Sequence, residues 1–206
     1  MNTLTIRNVI FDVGNVIVRW SPSEITSLTF GSDKTDEGFT KAIFSSETWL
    51  NLNKGFLSEE QAKNEFKNEL KISTEQTNKL FYYVKATQIE IFGTIELINK
   101  IKLSGYKVYA LTDNTQGIVD YLKTTYNFWD EFDGSVVSAD VGLLKPDSGI
   151  YQSLLSKYAL LASESVFIDD MPLNVKGART VGMSSIQFED ASQCEQALMA
   201  LGLSLS

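Results

Sequence analysis

Histidine is absent from the sequence, cysteine occurs once, and positive charge is scarce: 18 Lys and Arg stand against 26 Asp and Glu in 206 residues. Without histidine there is no Ser-His-Asp or Cys-His nucleophilic machinery, no imidazole metal site and no imidazole acid–base work. A lone Cys194 has no internal disulfide partner and reads as a small packing residue in a late helix. No apolar run approaches membrane-spanning length. The N-terminus lacks the basic flank and small-residue cleavage site of a secretory signal, so a cytoplasmic location and no membrane contact are expected. The net charge of −8 argues against a nucleic-acid surface. It does not argue against a small phosphate ester, because a bound metal ion supplies positive charge locally.

What is present is a run of short apolar segments. "NVIFDV" (8–13), "YKVYALTD" (106–113), "GSVVSAD" (134–140), "SVFIDD" (165–170) and "SSIQF" (184–188) are rich in β-branched or aromatic residues on both faces. That pattern predicts a parallel sheet covered on both sides. Helical patterns over 94–104, 115–125, 147–161, 174–181 and 192–201 alternate with the strands. The expected fold is therefore a doubly wound α/β sheet of Rossmann type. The interval 20–92 holds no convincing strand. "SEEQAKNEFKNELK" and "STEQTNKLFYYVKATQ" have helical spacing with Ser58 and either Ser73 or Thr74 as N-caps. The interval reads as a helical bundle inserted after the first strand. Gly55 reads as a turn between its helices, and residues 31–38 as an exposed polar loop.

Ligands of open parallel sheets bind beyond the C-terminal strand ends. The first strand ends at Asp12, the second at Thr112-Asp113 and the fourth at Asp169-Asp170, while Lys145 in "GLLKPDSGIY" precedes a helix nearby. Taken singly, each has a plain structural explanation: a turn cap, a strand end, helix capping before Met171-Pro172, a solvated loop lysine. Taken together, their order and placement suit phosphoryl transfer. Paired carboxylates hold Mg²⁺. A metal-neutralised carboxylate attacks phosphorus. A hydroxyl, backbone N–H groups and an ammonium stabilise the transferred group.

These residues resemble the haloacid dehalogenase superfamily: "FDVGNV" its first motif, "YALTDN" its second, "GLLKPDSGIY" its third and "FIDDMPLNVKGARTVGM" its acidic fourth. The helical insertion resembles the family's helical-cap subgroup, and "FDVGNVIV" with "KPDSGIY" is most similar to the branch that includes α-D-glucose-1-phosphate phosphatase. The resemblance implies a catalytic core of residues 1–19 and 93–206 and a cap of residues 20–92. It implies a Mg²⁺-dependent phosphatase acting on a small phosphorylated metabolite, as a monomer or weak homodimer. Asp12 would be the nucleophile and a metal ligand, the Gly14 carbonyl a second ligand and Asp170 the principal acidic ligand, with Asp169 beside it. Thr112 would bind the phosphoryl group and Lys145 would bridge it to the nucleophile. Asp113, Asn114 and Trp20 are further candidate substrate contacts, and Trp49 and Phe56 candidate cap walls.

Two positions depart from the pattern. Most family phosphatases carry an aspartate at position 14 that protonates the leaving group, and Gly14 lacks it. Asparagine commonly follows the hydroxyl residue, where this chain has Asp113. A metal-free 2-haloacid dehalogenase and a catalytically silent binding domain are the alternative readings.

Overall fold

The computed structural model describes residues 5–31 and 36–205. The polar loop expected over 31–38 therefore lies partly outside the described residues. The sheet has five parallel strands, β1 (Asn8–Phe11), β2 (Lys107–Thr112), β3 (Gly134–Val137), β4 (Ser165–Asp169) and β5 (Ser184–Gln187), in the order β3-β2-β1-β4-β5. Every residue of β1 and β4 is buried. The strand period of two splits that burial between two apolar clusters. Val9 and Phe11 pack on one side with Ile98, Ile118 and Leu198. Ile10 and Phe167 pack on the other with Ile150 and Ala178.

The helices that cover these faces are α6 (Thr94–Leu103), α7 (Gln116–Thr125), α9 (Ser148–Lys157), α10 (Pro172–Thr180) and α11 (Ala191–Ala200). Cys194 is buried in this packing, as expected of a small core residue. Desolvation pushes its thiol up to about 12. The third strand is shorter than its sequence suggests. It stops at Val137, and α8 (Ser138–Val141) follows as a single helical turn. The reason is Ser138, whose buried hydroxyl accepts from the Asn114 N–H and donates to the Asn53 carbonyl. Those bonds turn the chain out of the ladder.

Between β1 and β2 lie α1 (Pro22–Phe30), α2 (Glu37–Phe44), α3 (Glu47–Asn53), α4 (Glu59–Leu70) and α5 (Thr74–Ala86). Ser58 with Gln61, and Ser73 with Gln76, form reciprocal capping boxes at the starts of α4 and α5, satisfying N–H groups the helices leave open. Ile25, Ile43, Phe66 and Leu80 make the apolar centre of the insertion, continuous with the packing under the sheet. The chain enters and leaves side by side, since Arg19 N–H donates to Ile89 O and Ile91 N–H to Ile17 O. No described helix is long and apolar enough to cross a membrane.

Candidate active site

Strand register fixes the site. Phe11 lies opposite Ala110 on one side and Ile168 on the other, so Asp12, Thr112 and Asp169 emerge at one edge. Because β1 has β2 and β4 as neighbours, this edge is the topological switch point of the sheet, where crevices form. Asp12 is buried and its N–H donates to Ile168 O.

Lys145 reaches the same point from the loop before α9. Its buried Nζ lies 2.7 Å from Asp12 Oδ1, 2.8 Å from Asp169 Oδ2 and 3.4 Å from Leu111 O. Its backbone N–H donates to both oxygens of Asp113, at 3.1 Å each. The unexpected carboxylate at position 113 thus clamps the loop that carries the lysine. Asp169 is sealed beneath the crevice. Its oxygens also accept from Met171 N–H at 2.8 Å and from Asn174 Nδ2 at 3.1 Å. Asp170 is half-buried and accepts from Asn15 Nδ2 at 3.2 Å.

One ammonium therefore touches two carboxylates, Asp12 and Asp169, with Asp113 on its backbone N–H and Asp170 close to Asp12 and Asp169. Burial works against the charge of Lys145, but Asp12 and Asp169 outweigh it and hold the lysine above its ordinary range. Burial pushes Asp12 up to about 8, with Lys145 opposing and Asp169 adding to the rise. Asp170 is raised by burial and by Asp169. Asp113 is raised by burial, against the pull of Lys145. The crevice is short of positive charge.

Asp12, Asp169 and Asp170 each present an oxygen within 4.8 Å of the others. Asp12 Oδ1 is buried and has the lysine as an ionic neighbour but no aligned hydrogen-bond donor. Three converging carboxylates with one shared ammonium make an all-oxygen donor set that fits a hard divalent cation.

Asp12, Gly14, Trp20, Thr112, Asp113, Asn114, Lys145 and Asp170 all line one cavity of about 320 Å³. Asn114 Nδ2 donates to Thr112 Oγ1 at 3.0 Å, fixing the hydroxyl at the mouth of β2. Trp20 stacks on Trp49 with ring centres 5.8 Å apart, and Phe44 meets both rings edge-on. Both tryptophans line the cavity while packing the insertion. Phe56 does not: it is largely exposed and lies against Gly142.

The sequence reading passed over Asn15, Ser138 and Asn174. Asn15 sits at φ 54°, a left-handed conformation that asparagine tolerates better than most residues. Its Oδ1 accepts from the Trp20 N–H at 2.8 Å while its Nδ2 holds Asp170. The Gly-Asn pair after Asp12 was the available signal of a tight turn.

Fold and site together define a Rossmann-like α/β hydrolase with carboxylates at its switch point. Residues 9–188 match the haloacid dehalogenase-like hydrolase family, and the chain belongs to that family. It is 26% identical to sesquiterpene phosphatase astK of Aspergillus oryzae over 187 residues, covering 91% of this chain and 92% of that one. It is 27% identical to flavin mononucleotide hydrolase 1 of Arabidopsis thaliana over 163 residues, 77% of this chain and 63% of that one. Drimenol cyclase drtB of Aspergillus calidoustus is longer. The 24% identical match covers 94% of this chain but only 36% of it. Among solved structures, HAD family enzyme bt-2542 of Bacteroides thetaiotaomicron, in complex with magnesium and inorganic phosphate, has a TM-score of 0.75 at 18% identity, over 90% of this chain and 95% of that one.

Proposed function

We propose that this protein hydrolyses a small phosphate monoester with Mg²⁺, through an aspartyl-phosphate on Asp12. The observation that carries the reading is Asp12: buried at the switch point, lining the cavity, its Oδ1 2.7 Å from Lys145 Nζ and its carboxylate within 4.8 Å of oxygens of Asp169 and Asp170. Mg²⁺ would be held by Asp12, Asp170 and the Gly14 carbonyl, with Asp169 behind them, and would supply the positive charge the acids lack. Two relatives are named for removing phosphate from quite different molecules, so the phosphate is what the reading adopts.

In the proposed reaction an Asp12 oxygen bonds to phosphorus as the bond from phosphorus to the ester oxygen breaks. Lys145 neutralises the nucleophile's neighbourhood and orients it. The Thr112 hydroxyl, which accepts from Asn114 Nδ2 and keeps its own proton to donate, receives a phosphoryl oxygen. Water then attacks the aspartyl-phosphate and releases inorganic phosphate. No side-chain acid stands at position 14, so the departing oxygen takes its proton from water. The Gly14 resemblance by itself suggests a sugar 1-phosphate, since an anomeric oxygen leaves more readily than an alkoxide, but the cavity lining favours another alcohol. We read residues 20–92 as a cap over the core formed by 1–19 and 93–206. The protein is taken as cytoplasmic and as a monomer or weak homodimer, the latter testable by size-exclusion chromatography.

The test is turnover of p-nitrophenyl phosphate with and without Mg²⁺. Mg²⁺-dependent release that Asp12→Asn abolishes is the expected result. Chloride release from a 2-haloacid without Mg²⁺ would support a dehalogenase instead. Ligand binding without any turnover would support a silent domain.

A further inference from the structure

The cavity has two unlike sides. Every charged residue lining it, Asp12, Asp113, Lys145 and Asp170, sits on the sheet side. The insertion side offers Trp20, Phe44, Trp49 and Leu50, and two carboxamides, Asn53 and Gln88. Each carboxamide spends one N–H within its own chain segment, Asn53 Nδ2 donating to Trp49 O and Gln88 Nε2 to Val84 O, which leaves one N–H and the carbonyl oxygen on each. Leu144 and Met171 extend the apolar wall from the sheet side. No described charged residue lining the insertion side is placed to meet a second phosphate or a carboxylate, and two carboxamides among four apolar side chains are few partners for a ring of hydroxyls.

From this asymmetry we infer that the leaving group is an apolar hydrocarbon alcohol carrying no second charge, seated against the stacked Trp20–Trp49 pair and the Phe44 edge. The inference rests on the phosphatase reading and adds the class of ester to it. A sugar placed there would leave most of its hydroxyls facing aromatic surface, unpaired and stripped of water. A hydrocarbon loses nothing by the same burial and gains from each methylene removed from water. The cavity of about 320 Å³ lies near the small end of the range for organic ligands, which begins at roughly 300 Å³. It suits one ring system or a short branched chain rather than a nucleotide.

The test compares kcat/KM with Mg²⁺ for naphthyl phosphate, a branched alkyl phosphate, glucose 1-phosphate and glucose 6-phosphate. Either hydrocarbon ester is expected to exceed both sugar phosphates by at least about tenfold, and the two hydrocarbon arms separate a flat from a branched ligand. Trp49→Ala is expected to shrink that ratio, chiefly through KM. Leu50→Asn, at a position already 41% exposed and therefore safe for folding, is expected to shrink it in the same direction. A second readout needs no turnover. In calorimetric titrations, naphthylmethylphosphonate is expected to bind at least about tenfold tighter than methylphosphonate, with the more negative heat-capacity change. Hydrolysis of the sugar phosphates as well as or better than the hydrocarbon esters overturns the inference while the phosphatase reading stands. Hydrolysis of none of the esters overturns both.

Discussion

Lys145 is one ammonium serving two buried carboxylates, at 2.7 and 2.8 Å. Its removal leaves Asp12 and Asp169 without their cation in a dry site. Breaking a buried pair from one side costs about 3–5 kcal/mol. Lys145→Met is therefore expected to lower the unfolding free energy of the metal-free protein, read from urea melts, by that order and to abolish measurable phosphatase turnover. Unchanged stability would mean that the lysine is not the charge that balances the site. Position 14 makes the opposite case. A Cβ there would meet only Trp20 Cβ, at the ordinary contact distance of 3.7 Å, so packing does not demand the glycine. Gly14→Asp is expected to fold and to gain rate mainly on esters of poorly leaving alcohols. A gain on glucose 6-phosphate larger than on p-nitrophenyl phosphate is the signature. An equal gain on both would sink the idea that the missing acid is a proton donor. The meeting of Asp12, Thr112 and Asp170 was legible in the sequence because strand ends converge by topology, whereas Lys145 comes from a loop and was legible only as part of the "GLLKPDSGIY" motif. Asn15 was not legible: its value lies in a bond to Asp170, 155 positions away, and in a backbone conformation that local pattern only hints at.

At the level of elements, the contact that matters is between the turn after α3 and the short α8. Gly55 has φ 71°, and a Cβ there would lie 2.2 Å from the Ala139 carbonyl oxygen. Ser138, next to that carbonyl, bonds both to Asn53 O at the end of α3 and to Asn114 N–H two residues after Thr112. The insertion and the loop after β2 are thereby held by one residue. Gly55→Ala is expected to push the turn off α8 and lower kcat/KM at least about tenfold, while far-UV circular dichroism keeps its helical signal. Gly105→Ala separates the causes. It shares the positive φ, at 89°, but meets nothing within 4 Å. It is expected to lose only the backbone cost of about 1–2 kcal/mol, with activity retained. Equal losses of activity in the two variants would assign the effect to backbone strain alone. The α8 turn also marks where pattern reading falls short. "GSVVSAD" continues like a strand, and nothing local announces that the Ser138 hydroxyl has partners 24 and 85 positions away. The helices fared better because Ser58 and Ser73 advertise their caps within three residues.

Over the whole molecule the acids outnumber the bases, giving −8, and the imbalance is sharpest where the fold is driest. Asp12, Asp169 and Asp170 converge there with Lys145 as their shared cation. The apolar clusters on the two faces of the sheet hold that repulsive arrangement in place. Any cation that binds the folded site and ignores the unfolded chain stabilises by mass action. At free Mg²⁺ about 100 times its dissociation constant the gain is about 2.7 kcal/mol. In a chain of this size that is a rise in Tm of about 5–11 °C. The rise is expected to vanish with EDTA. Asp170→Asn removes a like charge beside Asp169, so this variant is expected to be the more stable of the two without Mg²⁺ and to gain little from adding it. The crossing of the two stability orders as Mg²⁺ is titrated, followed by differential scanning fluorimetry, is the result that assigns the cation to this cluster. A Tm that ignores Mg²⁺, or an equal rise in the Asp170→Asn variant, would place the cation elsewhere and remove the metal from the proposed mechanism.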